Sequence, residues 1–288
     1  MAAAEFDYET GFSRNIGWFT EEEQAKLGSK KVVIAGCGGA GGNHANTMAR
    51  LGIGKFHLAD FDTFGIENFN RQAGAAMSTV GKSKLGVTEA AVLDINPEAE
   101  IKTFPDGVTD DNLEAFLEGA DLYLDSLDFF AMHARRSIFE ACAKRNIPAV
   151  TAAPLGMGTA FLCFMPGEMT FEEYFGLEGK SEDEQYLRFY LGLSPAGLHN
   201  QYLVDPTKLS VTEKRGPSTI IGCTMGAAVA AAYVVKILLG RGDVVSAPEG
   251  AQWDPYLNKL EKTNLEGGHL SPVFQTQLAG AKQLFGLS

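Results

Sequence analysis

The sequence predicts an α/β fold in which helices cover both faces of a largely parallel sheet. Short β-branched runs alternate with helical segments between residues 31 and 153, which is typical of parallel strands joined by crossover helices. A glycine-rich loop follows the first run and precedes a helix, as in doubly wound, Rossmann-like domains. After Pro166 the composition becomes aromatic and acidic with poor periodicity, which indicates a lobe inserted after the sheet.

Each predicted element has a local signal. Thr20 followed by Glu23 is a capping-box pattern that begins a helix, and KVVIAG (31–36) is a β-branched run ending in glycine. Strands are expected at 31–36, 56–60, 99–104, 121–125, 146–153 and 160–165, with helices at 40–51, 82–94, 110–118 and 130–145. Residues 216–235 carry no charge, and the apolar run 222–239, stopped by Gly240, is interpreted as a buried core helix rather than a membrane span.

These elements divide the chain into four expected segments. They are an N-terminal helical lead-in (1–30), a Rossmann-like core (31–165), a crossover lobe (166–221), and a core helix with a C-terminal extension (222–288). The lobe carries aromatic residues that either belong to the core or shape a binding surface, namely Phe171, Tyr174, Phe175, Tyr186 and Phe189.

Composition excludes several classes of function. The net charge of −12 and pI near 4.9 make nucleic acid an unlikely partner and argue against docking on an anionic membrane. The four cysteines show no CxxC spacing, so no zinc site is evident and reduced thiols are expected. The first residues show neither the basic nor the apolar part of a signal peptide, and we expect a cytoplasmic protein.

The glycine loop predicts a nucleotide site. Gly36, Gly38 and Gly41 form G-x-G-x-x-G after a strand and before a helix, where backbone N–H groups can approach phosphate. Asp60 ends the second strand, 19 residues beyond Gly41, where a carboxylate can accept both ribose hydroxyls. This combination fits NAD about as well as ATP.

A dense polar block after the second strand favours a triphosphate over a dinucleotide. Its members are Asp62, Asn68, Asn70, Arg71 and Gln72. Arg71 offers a planar, permanently charged fork for phosphate oxygens, and Lys84 supplies a second cation from a helix start. The alternative is that both cations are solvated surface charges.

Asp125 ends the strand expected at 121–125, and a second acid, Asp128, follows three residues later. Ligands of open α/β sheets bind outside the carboxyl ends of the strands. A carboxylate at that edge, facing a triphosphate, would hold Mg²⁺, which takes oxygen ligands and shares itself with phosphates. Asp128 could instead cap the following helix, and the two roles are compatible.

Taken in order, these motifs resemble those of the ThiF/MoeB superfamily, the adenylating enzymes that include ubiquitin-activating enzymes. The similarity covers about residues 12–165 and returns at 216–240. Its most specific part is the series D-x-D, N-x-N-R-Q, G-K-x-K and D-x-x-D within residues 60–128. The resemblance implies ATP and Mg²⁺ as cofactors and a carboxylate as the substrate, which would become an acyl-adenylate with release of pyrophosphate.

The resemblance also assigns roles to matching positions. Gly39 would lie against the phosphates, Asp60 would hold the ribose, and Asp128 would coordinate Mg²⁺. The phosphates would be contacted by Asn68, Arg71 and Lys84. Arg14 stands where the family places an N-terminal arginine that reaches into the partner subunit's ATP site, which implies a homodimer or a pseudo-dimer with a related chain.

The chain departs from the family in three places. Phe129 follows Asp128 where many members have asparagine, so part of the adenine or metal environment is expected to differ. The paired CxxC zinc site of MoeB-like members is absent. No cysteine lies between 164 and 222, where thioester-forming members carry their nucleophile, and Cys163 and Cys223 are expected to be packed small residues.

The predicted function is ATP-dependent adenylation of a carboxylate without a catalytic cysteine. The carboxylate would belong to the C-terminus of a ubiquitin-like protein or peptide, to a small acid, or to a modified tRNA base as in the related tRNA-cyclising dehydratases. Two alternatives remain open. An NAD(P)-dependent oxidoreductase would use the same loop and leave Arg71, Lys84 and Asp128 without a role, and an inactive partner subunit of an adenylating heterodimer would keep the fold alone.

Overall fold

The computed structural model describes residues 5–210 and 213–285. Residues 1–4, 211–212 and 286–288, which belong to the predicted lead-in, lobe and C-terminal extension, lie outside the described residues. The described strands are β1 Lys31–Ala35, β2 Lys55–Ala59, β3 Glu100–Phe104, β4 Leu122–Asp125, β5 Ala149–Leu155, β6 Gly158–Phe164, β7 Glu249–Asp254 and β8 Lys259–Asn264. They form one sheet in the order β3-β2-β1-β4-β5-β6-β7-β8.

The sheet has a parallel half and an antiparallel half. Strands β1 to β5 are parallel, and each parallel step needs a crossover, which the helices between them supply. Strands β6, β7 and β8 continue the sheet as antiparallel neighbours. The predicted α/β fold with a doubly wound, largely parallel sheet is confirmed.

Helices pack on both faces of this sheet. They are α1 Tyr8–Phe12, α2 Glu21–Ser29, α3 Gly39–Arg50, α4 Lys84–Ile95, α5 Leu113–Leu117, α6 Met132–Arg145, α7 Phe171–Phe175, α8 Glu182–Leu193, α9 Ile220–Leu239 and α10 Pro272–Phe285. One buried apolar cluster joins α2, α3, α4 and α9 to one face of the sheet. A second cluster joins α5, α6, α7, α8 and α10 to the other face. Val32 and Ile34 belong to the first cluster, whereas Val33 and Ala35 belong to the second, as alternating strand side chains require.

The last two strands were not predicted from the sequence. The buried face of β7 carries Gln252 and Asp254 instead of apolar side chains, so no hydrophobic alternation is visible. Strand β8 is the edge strand of the sheet and is mostly exposed, with the polar sequence KLEKTN. Strand β7 is therefore held by pairing with β6, from which it is far apart in the chain, and β8 pairs with β7.

Helix α9 is the core helix that the sequence predicts. The Thr219 hydroxyl accepts a hydrogen bond from the Gly222 N–H at its start, and Gly240 ends it in the left-handed conformation. Within the described chain, α9 is the helix long and apolar enough to cross a membrane. Here its buried side packs on the sheet, because Val234 and Ala230 belong to the same cluster as Ile34.

The aromatic residues of the lobe form part of the core. Phe171, Tyr174, Phe175, Tyr186 and Phe189 are all buried and belong to the second apolar cluster. The Tyr174 hydroxyl donates to the Gly192 carbonyl, which satisfies its polar atom inside this cluster. The idea that these five side chains shape a binding surface is wrong, because their rings face the interior.

Two glycine substitutions test how tightly α9 packs on the sheet. A Cβ at Gly226 would lie 2.9 Å from the Ala152 carbonyl oxygen, whereas a Cβ at Gly280, in α10, would meet nothing within 4 Å. We expect Gly226→Ala to destabilise the protein by about 1–3 kcal/mol through this clash. Gly280→Ala should stabilise it by about 0.5–1 kcal/mol through helix propensity. Thermal and urea unfolding measure both, and equal signs for the two variants would contradict the packing.

Candidate functional site

Three strand ends meet at one edge of the sheet. Ala35, the last residue of β1, lies opposite both Ala59 of β2 and Asp125 of β4. The loops that follow these residues therefore leave the sheet side by side. Backbone hydrogen bonds join them, because the Gly36 N–H donates to Ala59 and the Ser126 N–H donates to Ala35.

The glycine loop between β1 and α3 cannot carry side chains at two positions. Gly36 has φ +94°, and a Cβ there would lie 2.3 Å from the Ser126 carbonyl oxygen. A Cβ at Gly41 would lie 1.7 Å from the Gly36 carbonyl oxygen. Gly38 precedes α3 and offers no side-chain cap, so the first N–H groups of this helix point to the loop with the positive end of the helix dipole. The loop can therefore receive an anion.

Two distant segments approach Gly39 at the start of α3. A Cβ at this position would lie 2.9 Å from the Cys223 Sγ, in the first turns of α9, and 3.5 Å from the Arg71 Cγ. The fold thus brings the polar block and the start of the core helix to the glycine loop. Asn70 strengthens this contact, because its Nδ2 donates to the Ser218 carbonyl oxygen at 2.8 Å.

Asp60 is attached to the glycine loop. Its Oδ2 accepts a hydrogen bond from the Cys37 N–H at 2.6 Å, and its Oδ1 accepts one from the Asp62 N–H at 2.8 Å. Burial, followed by the Asp60 carboxylate, raises the pKa of the Cys37 thiol to about 12. The loop cysteine therefore stays neutral, and the carboxylate is the anionic group at the end of β2.

Lys84 is a buried cation and not a solvated surface charge. It is the first residue of α4, it is 8% exposed, and its Nζ lies 2.9 Å from the Asp62 Oδ2. Asp62 itself is about half exposed. Because only one carboxylate oxygen is recorded on this ammonium, it has donors left for a second anion.

The rest of the polar block builds the loop after β2. The Arg71 guanidinium donates to the Glu67 carbonyl and to the Asn70 Oδ1, both at 2.9 Å. The Asn68 Oδ1 accepts from the Gly65 N–H, so this side chain shapes the turn from inside. Gln72 is buried beside Gly38, and its Oε1 has no hydrogen-bond partner among the described residues. A buried acceptor without a partner can accept a hydrogen bond from a donor group of a ligand.

The two acids that follow β4 have different roles. Asp125 is buried and forms an ion pair with Arg135, whose Nε lies 2.9 Å from its Oδ2. Asp128 is exposed and its Oδ1 accepts from the Phe130 N–H at 3.0 Å, which caps a turn ahead of α6. The pairing of Arg135 with Asp125 is not predicted from the sequence. The signal available there is a basic residue ten positions after the acid that ends a strand.

Asp128 is the carboxylate that could share a cation with phosphates. Within residues 5–210 and 213–285, no three His, Cys, Asp or Glu side chains gather as a metal cluster. A complete protein cage is therefore absent from that part of the chain. Mg²⁺ commonly needs only one or two carboxylates when phosphates supply the other oxygens.

In the part of the chain that the structure describes, Arg14 has no recorded contact with the loops at this edge of the sheet. It occupies a short 3-10 helix, Ser13–Asn15, and is exposed. Its side chain makes no hydrogen bond or ion pair within the described residues. Ile16 and Trp18, which are 40% and 82% exposed, follow it closely in the chain.

The cysteines offer no activated nucleophile. All four are free and buried. Burial raises the pKa of the Cys163 thiol to about 12. Burial also raises the pKa of Cys223, although Ser218 and the Arg71 charge oppose this shift. The expectation that both are packed small residues agrees with their burial.

Two surface clefts lie elsewhere on the molecule. One, of about 580 Å³, is lined by residues that include Glu114, Glu118 and Arg145. The other, of about 460 Å³, includes Glu172 and His269 in its wall. Neither contains a residue of the glycine loop or of the polar block, so the candidate site is distinct from both.

Two known proteins have sequences similar to about half of this chain. The chain is 34% identical over 142 residues to the tRNA threonylcarbamoyladenosine dehydratase of Bacillus subtilis (49% of this chain, 55% of that protein). It is 30% identical over 143 residues to the sulfur carrier protein ThiS adenylyltransferase of Escherichia coli (50% and 56%). The chain thus spans about half the length of these relatives.

A solved structure shares the fold over nearly the whole chain. The structure of Escherichia coli MccB with ATP superposes with a TM-score of 0.64 at 22% identity, over 95% of this chain and 75% of that one. At this identity the similarity shows the fold alone. Residues 12–269 match the sequence profile of the ThiF family. The matched residues include the glycine loop, the polar block, the lobe and α9. The chain therefore belongs to the ThiF family.

Proposed function

We propose that this protein uses ATP to adenylate the carboxylate of a peptide or protein C-terminus. The observation that carries the proposal is the meeting of three loops at one sheet edge in a ThiF-family chain. These loops carry the glycine-rich helix start, the Asp60 carboxylate and the exposed Asp128, and Asp62 of the second loop pairs with the buried Lys84 ammonium. Membership of the family leaves the oxidoreductase alternative without support.

The residues present fit a nucleotide. A helix start that cannot carry side chains at Gly36 and Gly41 provides a cradle for phosphate. The Asp60 carboxylate, which accepts from the Cys37 N–H of the loop, would accept the ribose hydroxyls, and Gln72 has a buried acceptor without a partner among the described residues. Asp128 would hold Mg²⁺ together with the phosphates, and that cation would neutralise charge on the phosphate oxygens.

The reaction would need positioning rather than covalent chemistry by the protein. A carboxylate oxygen would attack the α-phosphorus of ATP, forming an acyl–phosphate bond as the bond to pyrophosphate breaks. Arg71, Lys84 and the N–H groups at the start of α3 would meet the negative charge that develops on the phosphates. Because all four thiols are buried, the adenylate would pass directly to an acceptor in the cytoplasm.

A peptide or protein carboxylate is the substrate class that we favour. The chain carries a net charge of −12, and binding a nucleic acid requires clustered lysines and arginines. Escherichia coli MccB has also been solved with MccA, and the ThiS adenylyltransferase acts on a protein, as its name states. The dehydratase relative makes modified tRNA the competing substrate, to be separated by experiment.

We further propose a homodimer in which Arg14 completes the partner's site. The exposed arginine has no partner within the described residues, and the neighbouring Trp18 and Ile16 leave apolar surface open. Burying such surface is the usual driving force for association. A heterodimer in which this chain is inactive is the alternative, which the experiments below also test.

ATP–pyrophosphate exchange tests the reaction and the role of Asp128. We expect exchange with one of three acyl candidates: a ThiS-type carrier protein, the MccA peptide, or tRNA carrying threonylcarbamoyladenosine. Asp128→Asn should lower the exchange rate about 10²–10³-fold, because one contact to the charged centre is lost. Asp94→Asn, on an exposed turn of α4, serves as the control and should keep the wild-type rate. If only the tRNA supports exchange, the proposed substrate class is overturned. If none of the three carboxylates supports exchange, the proposed function is overturned.

Lys84 can be compared with a lysine two residues away. Lys84→Met removes the buried ammonium, and we expect a loss of about 10²–10³ in kcat because phosphate charge is no longer met. Lys82→Met removes an exposed ammonium from the same loop and should leave kcat unchanged. Steady-state exchange kinetics measure both, and equal effects of the two substitutions would show that Lys84 does not act on the phosphates.

Mixed dimers test whether Arg14 acts across subunits. Arg14→Ala and Asp128→Asn should each be nearly inactive alone. When the two variants are mixed and allowed to exchange subunits, each heterodimer regains one complete site. Random pairing of a two-subunit assembly then predicts about a quarter of the wild-type rate. Recovery that never exceeds the sum of the separate variants would show that Arg14 does not act in the partner.

A further inference from the structure

We propose that Arg135 is a positioning residue that holds the loop carrying Asp128. The proposal rests on the proposed function, because Asp128 is the residue we assign to the metal. Arg135 itself is 2% exposed and lies beneath the loop, so it cannot contact a ligand. Its effect on the site would pass through the backbone of the loop Ser126–Phe130, called the β4–α6 loop below.

The guanidinium binds this loop at three successive carbonyl groups. One terminal nitrogen donates to the Leu127 carbonyl at 2.8 Å and to the Asp128 carbonyl at 3.1 Å. The other donates to the Phe129 carbonyl at 3.2 Å. The Nε donates to Asp125 at the end of β4, so one side chain ties the loop to the strand.

The Arg135 side chain, with its bonds to Asp125 and the loop carbonyl groups, is called the clamp below. Residues of the sheet and of α8 hold it in place. Asp125 accepts a further hydrogen bond from the Tyr123 hydroxyl at 3.1 Å and lies opposite Ala35, the residue before the glycine loop. The guanidinium carbon also lies 4.6 Å from the centre of the Phe189 ring. A buried guanidinium with every nitrogen bonded is stable in one geometry, and a lysine ammonium cannot reproduce that planar fork.

Helix α8 of the lobe contacts the same loop. Phe129, at the position where many family members have asparagine, lies 5.3 Å from the Phe189 ring centre. The Tyr186 hydroxyl donates to the Phe130 carbonyl at 3.3 Å. Arg135 and α8 both hold the backbone of this loop, and the Asp128 carboxylate is its exposed anion. Loss of the clamp should therefore misplace this carboxylate without removing it.

Amide hydrogen exchange tests the clamp without any ligand. The Leu127 N–H donates to the Asp125 carboxylate, and the N–H groups of Phe130 and Ala131 donate to Asp128. In Arg135→Lys we expect these amides to exchange about tenfold faster, because three carbonyl contacts are lost. Arg188→Lys is the matched control, since Arg188 is also buried and paired with a carboxylate, Glu184, but its other contacts are with Phe175 and Phe274 and not with the loop. It should leave exchange in the loop unchanged.

Metal binding tests the consequence for the site. Mn²⁺, a spectroscopic substitute for Mg²⁺, is titrated into the protein with a non-hydrolysable ATP analogue and followed by electron paramagnetic resonance. Arg135→Lys should weaken Mn²⁺ binding about 10–100-fold, the usual cost of losing a supporting partner of a metal ligand. Arg188→Lys should bind Mn²⁺ as the wild type does. Unchanged loop exchange or unchanged Mn²⁺ affinity in folded Arg135→Lys would overturn the proposal.

Two further outcomes separate this inference from the proposed function. If Arg135→Lys does not fold, Phe189→Leu replaces it, because that change removes the ring against both Arg135 and Phe129 and should shift loop exchange and Mn²⁺ affinity in the same direction. No shift in Phe189→Leu would likewise overturn the clamp. If the wild-type protein binds no Mn²⁺ with the nucleotide, both the metal role of Asp128 and the positioning role of Arg135 that rests on it are overturned. If the wild type binds Mn²⁺ and Arg135→Lys binds it equally well, the positioning role alone is overturned.

Discussion

The candidate site depends on the in-register parallel pairing of three neighbouring strands. Ala35 lies opposite Ala59 on one side and Asp125 on the other, so the glycine loop, the Asp60 loop and the β4–α6 loop start at one level. Parallel pairing requires crossover helices, and the first of them begins at Gly39 with its N–H groups facing this edge. A slip of one residue in either pairing would turn the polar residues to opposite faces.

Charge placement then separates residues that can bind from residues that support. Lys84 and Arg135 are both buried cations with one carboxylate partner, in a chain whose net charge is −12. Burying an unpaired cation would cost several kcal/mol, so each partner is structurally required. Asp62 is half exposed and leaves the ammonium donors free for a further anion, whereas the Arg135 donors are occupied by Asp125 and by backbone carbonyls. The first cation can therefore meet a ligand and the second cannot.

Some features of the structure could not be predicted from the sequence, for identifiable reasons. Strand β7 buries Gln252 and Asp254, so its face lacks the apolar alternation that marks a strand. Arg135 stands beside Arg136 in a helix, where a run of basic residues usually indicates a solvated face. The lobe aromatics are interior residues, because α7 and α8 cover the sheet instead of standing apart from it. In each case burial, and not local pattern, determined the outcome.

The sequence by itself determined the fold class, the strand-loop-helix unit that carries the glycines, the capped core helix and the family of the chain. These properties follow from periodicity and from short, ordered spacings, which are local. Only the tertiary structure decided that Lys84 is buried against Asp62, that Asp125 is held by Arg135 while Asp128 is exposed, and that Cys223 packs under Gly39. Burial and partner choice arise when strands and helices distant in the chain meet, and no local pattern encodes which faces will touch.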